Sequence, residues 1–373
     1  MTDWEWQVPA TAPNARRISD MICPQSCPGL TGCLDVSDVN TSSNDKIEAL
    51  RFLAAFAVVC VHMPAIGAGN FGVDIFFVIS GLVMMLSTEK GGERFLQKRL
   101  IRIVPTYWLF TLGVFFVAFA APGLLNSTSA DVSHLLKSLF FIPFDKNGTG
   151  HNPVLFLGWT LNYEMYFYVL FAASMAIAMR FRAEICGLFL VTGLVLCSRA
   201  DALPLRAYAN PIVIEFLFGM TLCHLLRTRP LHPLRLLFPL TLTLIAFAFV
   251  GDITAQRAFV FGVPAFLLCA AALTLLADVR MPRLLVYLGG CSYALYLTHP
   301  YIIQVLDKVF GLFDQVPIIA TGLAFLLVVG ASALIFELIE RPVRTRLRAV
   351  LLKRTPASDL RDTSRPDMVT AKF

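Results

Sequence analysis

A chain of 373 residues that is 57% hydrophobic and only 15% charged, with a formal net charge of +6 and a mean hydropathy of +0.70, is a membrane sequence. Soluble domains carry about 25% charged residues, and here no segment of soluble-domain length is left between the apolar runs. The positive excess is not a nucleic-acid signal, because the arginines are spread among short loops.

Residues 1–44 form a polar, Pro-containing segment without the apolar core of a signal peptide and are expected to be a disordered cytoplasmic tail. Its Cys23, Cys27 and Cys33 match no common zinc spacing, so no metal site is expected. Apolar runs then recur. A spanning helix needs roughly 20 such residues, and ten spans are predicted near 47–66, 71–88, 103–121, 159–179, 184–199, 209–226, 233–250, 257–277, 286–309 and 316–338. The fold class is therefore all-α, a polytopic bundle of about ten transmembrane helices. Ser133–Phe144, SHLLKSLFFIPF, is apolar but too short to span and is expected to be interfacial or re-entrant. Cys60, Cys186, Cys197, Cys223, Cys269 and Cys291 fall in or beside the spans and read as small core residues. Residues 346–373 read as a basic cytoplasmic tail.

Charge sets the expected orientation. One set of alternating loops, from Lys90 to Arg354, carries 18 Lys and Arg; the opposite set carries six, Lys137, Lys146, Arg199, Arg206, Arg257 and Lys308. The positive-inside rule then puts both termini in the cytoplasm, and loop 122–158 outside.

Ionisable residues within spans are costly and mark function by default. Arg51 and His62 are eleven residues apart on the first span; at 100° per residue they project from nearly the same face, roughly 16 Å apart along the axis. Asp74 opens the second span and Glu164 lies about one turn inside the fourth, so both are expected near His62 at the outer face. Arg99 and Arg102, at i and i+3, share a face toward the cytoplasm and suit a forked grip on phosphate. A neutral histidine can take a proton from a hydroxyl while a carboxylate orients it. Structural readings stand beside these: Arg99 and Arg102 as positive-inside anchors, Asp74 as a helix cap, and His62 as an interfacial residue satisfied by backbone or water. His151 and Asn152, in the outer loop, suit contact with a sugar. Ser80-Gly81 suits close helix packing, and His299, before Pro300, sits at mid-span in the ninth helix, where the proline removes a backbone hydrogen bond.

Six segments together carry a resemblance. Arg51 to His62, FGVDIFFVISG (71–81), RFLQKRLIRIVPTYW (94–108), GWTLNYEMYFYV (158–169), YLGGCSYALYLTHP (287–300) and FELIERPVR (336–344) occur in one order. Over residues 45–345 the chain resembles the acyltransferase-3 family of integral membrane acyltransferases. NPVLFLGWTLNYEMYFYVLF resembles its succinoglycan-type exopolysaccharide branch. The resemblance implies transfer of an acyl group, expected to be acetyl, from cytoplasmic acyl-CoA to a hydroxyl of an extracytoplasmic carbohydrate in the bacterial inner membrane. It implies His62 as base, Glu164 as its acidic partner or an acceptor-site residue, Arg99 and Arg102 on the CoA phosphates and Arg51 in support of the donor path; Asp74, His151 and Asn152 are expected, from their positions, toward the acceptor. Direct attack by the acceptor hydroxyl on the thioester is expected; an acyl-His62 intermediate is the alternative. Expected partners are a carbohydrate acceptor, lipid-linked or free, and membrane lipids, with a homodimer compatible and nucleic acid excluded. The competing class is a sugar or lipid exporter, which would show paired interrupted helices in two related halves; no such repeat is visible.

Overall fold

The computed structural model describes residues 36–89, 91–125, 128, 130–144, 152–227, 257–276 and 279–352, with side chains from residue 44 onward. Among them the regular structure is helical throughout. The expected span at 233–250 and the three N-terminal cysteines lie outside the described residues. The helices are α1 (Val36–His62), α2 (Gly72–Ser87), α3 (Phe95–Ala120), α4 (Val132–Leu139), α5 (Trp159–Ala178), α6 (Arg182–Ser198), α7 (Leu203–Arg206), α8 (Ile214–Arg227), α9 (Val263–Leu275), α10 (Arg283–Gly290), α11 (Ser292–Lys308), α12 (Leu312–Gln315), α13 (Pro317–Ile335) and α14 (Arg341–Leu351).

Four helical stretches are long and apolar enough to cross a bilayer: Phe95–Ala120, Phe156–Ser198, Ala258–Leu275 and Pro317–Leu351; Gly72–Ser87 is a shorter apolar helix. Large apolar side chains such as Phe119, Leu275, Ile318, Leu326 and Leu338 point outward, as expected for a protein whose solvent is lipid. Two expectations change. The first helix starts at Val36, inside the segment read as an irregular tail, and of the unit formed by residues 1–40 only this start is described. The run 286–309 is two helices that meet at Cys291. Ser133–Phe144 does hold a short helix, α4, capped by Asp131 through the backbone N–H groups of Ser133 and His134.

Within the unit that follows residue 40, α2 is the central packing element. Its Ile75, Val78 and Leu82 pack with Leu50 and Ala54 of α1, Leu222 of α8 and Cys269 of α9. Ala55 and Val59 of α1 pack with Leu295 and Ile303 of α11 and Ala324 and Val328 of α13. The α2–α8 approach requires glycine. A Cβ on Gly81 would sit 2.1 Å from the Phe216 carbonyl oxygen, and one on Gly219 would sit 2.0 Å from that of Val78. Close packing at Ser80-Gly81, expected from the sequence, is what the fold uses. The six cysteines of the described residues are free thiols.

Candidate active site

Five helices enclose a cavity with about 720 Å³ of open space. Arg51 comes from α1, Ser80 from α2, Arg99 and Arg102 from α3, Glu164 and Tyr168 from α5, and Tyr293 and Tyr296 from α11. Three guanidinium groups thus face one space; the i, i+3 spacing of Arg99 and Arg102 accounts for those two, and the packing of the first helix brings Arg51 to them. Arg51 is held by Glu48 at 2.6 Å, one turn back on its own helix. Arg99 donates to the Ser87 hydroxyl at 2.6 Å and lies over the Phe95 ring. These contacts fix the direction of two flexible cations, which is what recognition of an anion needs.

Glu164 belongs to this cavity. The sequence placed it with His62, but its carboxylate accepts from Ser80 Oγ at 2.8 and 2.9 Å and from the Tyr168 hydroxyl. The expected His62–Glu164 hydrogen bond is not made, and His62 is not among the residues lining the cavity. Spacing along a helix reports which face a side chain takes, not which neighbour covers that face. Tyr168 was legible as the i+4 partner of Glu164; Ser80 carried no such signal.

His62 has a different partner. Its Nδ1 lies 2.8 Å from the Val58 carbonyl oxygen and 3.2 Å from Nε2 of His299. His299 is fully buried, and its own Nδ1 lies 3.0 Å from the Leu295 carbonyl oxygen, next to the carbonyl that Pro300 leaves unbonded. A carbonyl oxygen only accepts, so these contacts assign the protons. His299 carries its proton on Nδ1 and presents a lone pair on Nε2. His62 carries its proton on Nδ1, shared between Val58 and His299, and its Nε2 is left with a lone pair. In this arrangement Nε2 of His62, not Nδ1, is the ring nitrogen placed to act as a base. The imidazole of His299 stands where a carboxylate was expected.

Tyr296 separates the two groups. Its hydroxyl lies 2.9 Å from Thr160 Oγ1 and 3.3 Å from the Leu157 carbonyl oxygen, and its ring centre is 6.3 Å from that of His299. Tyr296 lines the arginine cavity on one side and touches the histidine pair on the other. His62 does not line the arginine cavity; Tyr296 is common to the wall of that cavity and to the surroundings of His299.

Asp74 is placed elsewhere. It does not cap α2, whose N-cap is Phe71; it is fully buried and ion-paired with Arg257 at 2.9 Å. No hydrogen bond joins it to His62. Arg257, counted from sequence as an outer-loop cation, is the partner that the reading missed. So is the fully buried Glu215 of α8, a further carboxylate within the bundle. Asn152 is exposed, and it lines a second, smaller cavity with Trp159, Asn162 and Tyr208; His151 lies outside the described residues.

Residues 44–337 match the family model described as an acyltransferase domain. The chain belongs to the acyltransferase-3 family. It is 36% identical over 313 residues to the exopolysaccharide production protein ExoZ of Rhizobium meliloti, an alignment that covers 77% of this chain and 93% of that protein. It is 28% identical over 157 residues to the peptidoglycan O-acetyltransferase OatA of Listeria monocytogenes, covering 36% of this chain and 24% of that one. No solved structure matches. The chain is thus a multi-pass membrane acyltransferase, an enzyme rather than an exporter, and the arginine cavity and the histidine pair lie within the matched domain.

Proposed function

We propose that this acyltransferase moves an acetyl group from cytoplasmic acetyl-CoA to a hydroxyl of an extracytoplasmic polysaccharide, in a bacterial inner membrane that its ten helices span with both termini inside. The observation that carries the reading is an arginine-walled cavity together with a histidine pair in which His62 is held through Nδ1, Tyr296 bordering both the cavity and His299. The names of the two relatives support the acceptor and the acyl group: one takes part in exopolysaccharide production and the other O-acetylates peptidoglycan. The 18-to-six bias of basic residues supports the orientation.

In this reading Arg51, Arg99 and Arg102 hold the CoA phosphates at the cytoplasmic side, and Tyr296 yields to admit the acyl arm. The acceptor hydroxyl oxygen attacks the thioester carbonyl carbon as His62 Nε2 takes its proton. The new positive charge on His62 is supported by the Val58 carbonyl oxygen and by the Nε2 lone pair of His299. The carbon–sulfur bond then breaks, His62 returns the proton to the leaving thiolate, and an ester and free CoA result. Glu164, with Ser80 and Tyr168, shapes the donor cavity and balances the three cations around it. Membranes holding the enzyme, supplied with labelled acetyl-CoA and de-esterified polysaccharide from the host, should label the polysaccharide; label confined to free acetate or water-soluble products would reject the acceptor.

A further inference from the structure

We infer that the second cavity is a subsite for a neutral sugar residue of the acceptor other than the residue being acylated, so that the enzyme works on an oligosaccharide or longer chain. The inference rests on the proposed function. The cavity has about 400 Å³ of open space, and its wall includes Pro143, Asn152, Trp159, Asn162, Tyr163 and Tyr208. Three of these rings make a corner. Trp159 and Tyr163 meet at 87° with centres 5.9 Å apart, and Tyr163 and Tyr208 meet at 90° at the same distance. The rings are fixed: the Tyr163 hydroxyl donates to the Ala207 carbonyl at 2.8 Å, and Tyr208 stacks on Tyr166 at 4.6 Å. The Asn152 backbone is fixed as well, its carbonyl accepting from His134 Nε2 at 3.0 Å.

The telling atom is Asn162 Oδ1. Asn162 is 4% exposed, and this oxygen is buried with no hydrogen-bond partner. A buried acceptor left without a donor is costly to a fold and calls for an explanation. A ligand hydroxyl supplies the donor. Sugars combine such hydroxyls with C–H faces that lie on aromatic rings, and this wall offers both. Among the described residues no charged side chain lines the cavity, which suits a neutral sugar.

Position separates this cavity from the chemistry and also connects it. At 100° per residue, Trp159, Asn162 and Tyr163 face roughly 150° away from Thr160, Glu164 and Tyr168, so α5 is the wall between the two cavities. The segment from Asn152 to Trp159 runs from the second cavity past Phe156, whose ring meets that of His62 edge-on at 6.2 Å. A glycan following this segment would keep one residue in the aromatic corner and bring a hydroxyl of another toward His62.

The test uses the full chain in proteoliposomes, acetyl-CoA, and de-esterified fragments of the host polysaccharide from a single sugar upward. For the wild type, KM should fall as the fragment lengthens. Asn162→Leu and Trp159→Ala should each raise KM for long fragments about tenfold, equivalent to about 1.4 kcal/mol, with kcat and KM for acetyl-CoA unchanged. A single sugar should be used equally by all three. Asn162→Leu removes an unpaired buried oxygen, so its thermal stability should match or exceed the wild type, whereas a merely structural Asn162 would lose stability. Trp159→Phe, which keeps a ring, guards against a fold defect in Trp159→Ala and should fall between. Unchanged acceptor KM in stable variants, or a wild type indifferent to fragment length, overturns the subsite while leaving the proposed function standing. Fragment binding that quenches Trp159 fluorescence without any transfer would keep the subsite and overturn the proposed function.

Discussion

His62 and His299 show how much a carbonyl oxygen decides. Two backbone acceptors, from Val58 and Leu295, set both tautomers and leave His62 Nε2 basic without any carboxylate in contact. Replacing His299 with Ala should lower kcat by about tenfold or more through loss of this orientation, against the roughly 10²–10⁴ contributed by general base catalysis itself. His299→Gln, whose amide oxygen can accept from His62 Nδ1, should recover part of that loss, and KM for acetyl-CoA should stay fixed in both. An equal fall in kcat for the Ala and Gln variants would mean that His299 serves only packing. His62→Ala should abolish transfer while the protein remains folded in the membrane. At this scale the sequence revealed the reactive residue types but not their partners. His299 was visible beside Pro300 and Glu164 was visible as an intramembrane acid, yet each met a neighbour from a distant helix that no spacing encodes.

Helix packing carries its own tests. Gly81 and Gly219 each face the opposing backbone at distances no Cβ tolerates, so Gly81→Val must push α2 and α8 apart. Overpacking of this kind costs about 1–3 kcal/mol, and a lower unfolding temperature in detergent should report it, with loss of the proposed acetyl-CoA binding because α2 also lines the arginine cavity. Asp74 and Arg257 form an ion pair between elements. Removing one partner of a buried pair costs about 3–5 kcal/mol, and the 28% exposure of the Arg257 side chain puts Arg257→Leu at the lower end. Asp74→Asn combined with Arg257→Leu should restore most of the stability, as measured by the same unfolding temperature. The apolar runs made most helices legible because a bilayer permits little else. The break at Cys291 and the early start of α1 were not, because neither is marked by a change in hydropathy.

On the scale of the whole molecule, the proposed function separates donor and acceptor. Arg51, Arg99 and Arg102 face one cavity, the histidine pair lies beyond Tyr296, and the aromatic corner lies across α5. The polarity proposed for the molecule comes from charge counting, because the positive-inside rule reads loops, not contacts. Charge counting could not show that Glu164 sits with the arginines, which needed the helices in place. Replacing Arg99 and Arg102 together with Gln should raise KM for acetyl-CoA by roughly tenfold or more, at about 1.5–3 kcal/mol for each charge-assisted bond lost. Acceptor KM should not move, and unchanged donor affinity in a folded double variant would reduce both arginines to topological anchors.

The most direct measurement places labelled acetyl-CoA and acceptor fragments on opposite sides of sealed proteoliposomes in which the enzyme has one orientation. With acetyl-CoA on the side of Arg99 and Arg102, label should pass to fragments on the other side, and His62→Ala should stop it. Transfer only when donor and acceptor share a compartment, or label transfer that persists in His62→Ala, would contradict the account.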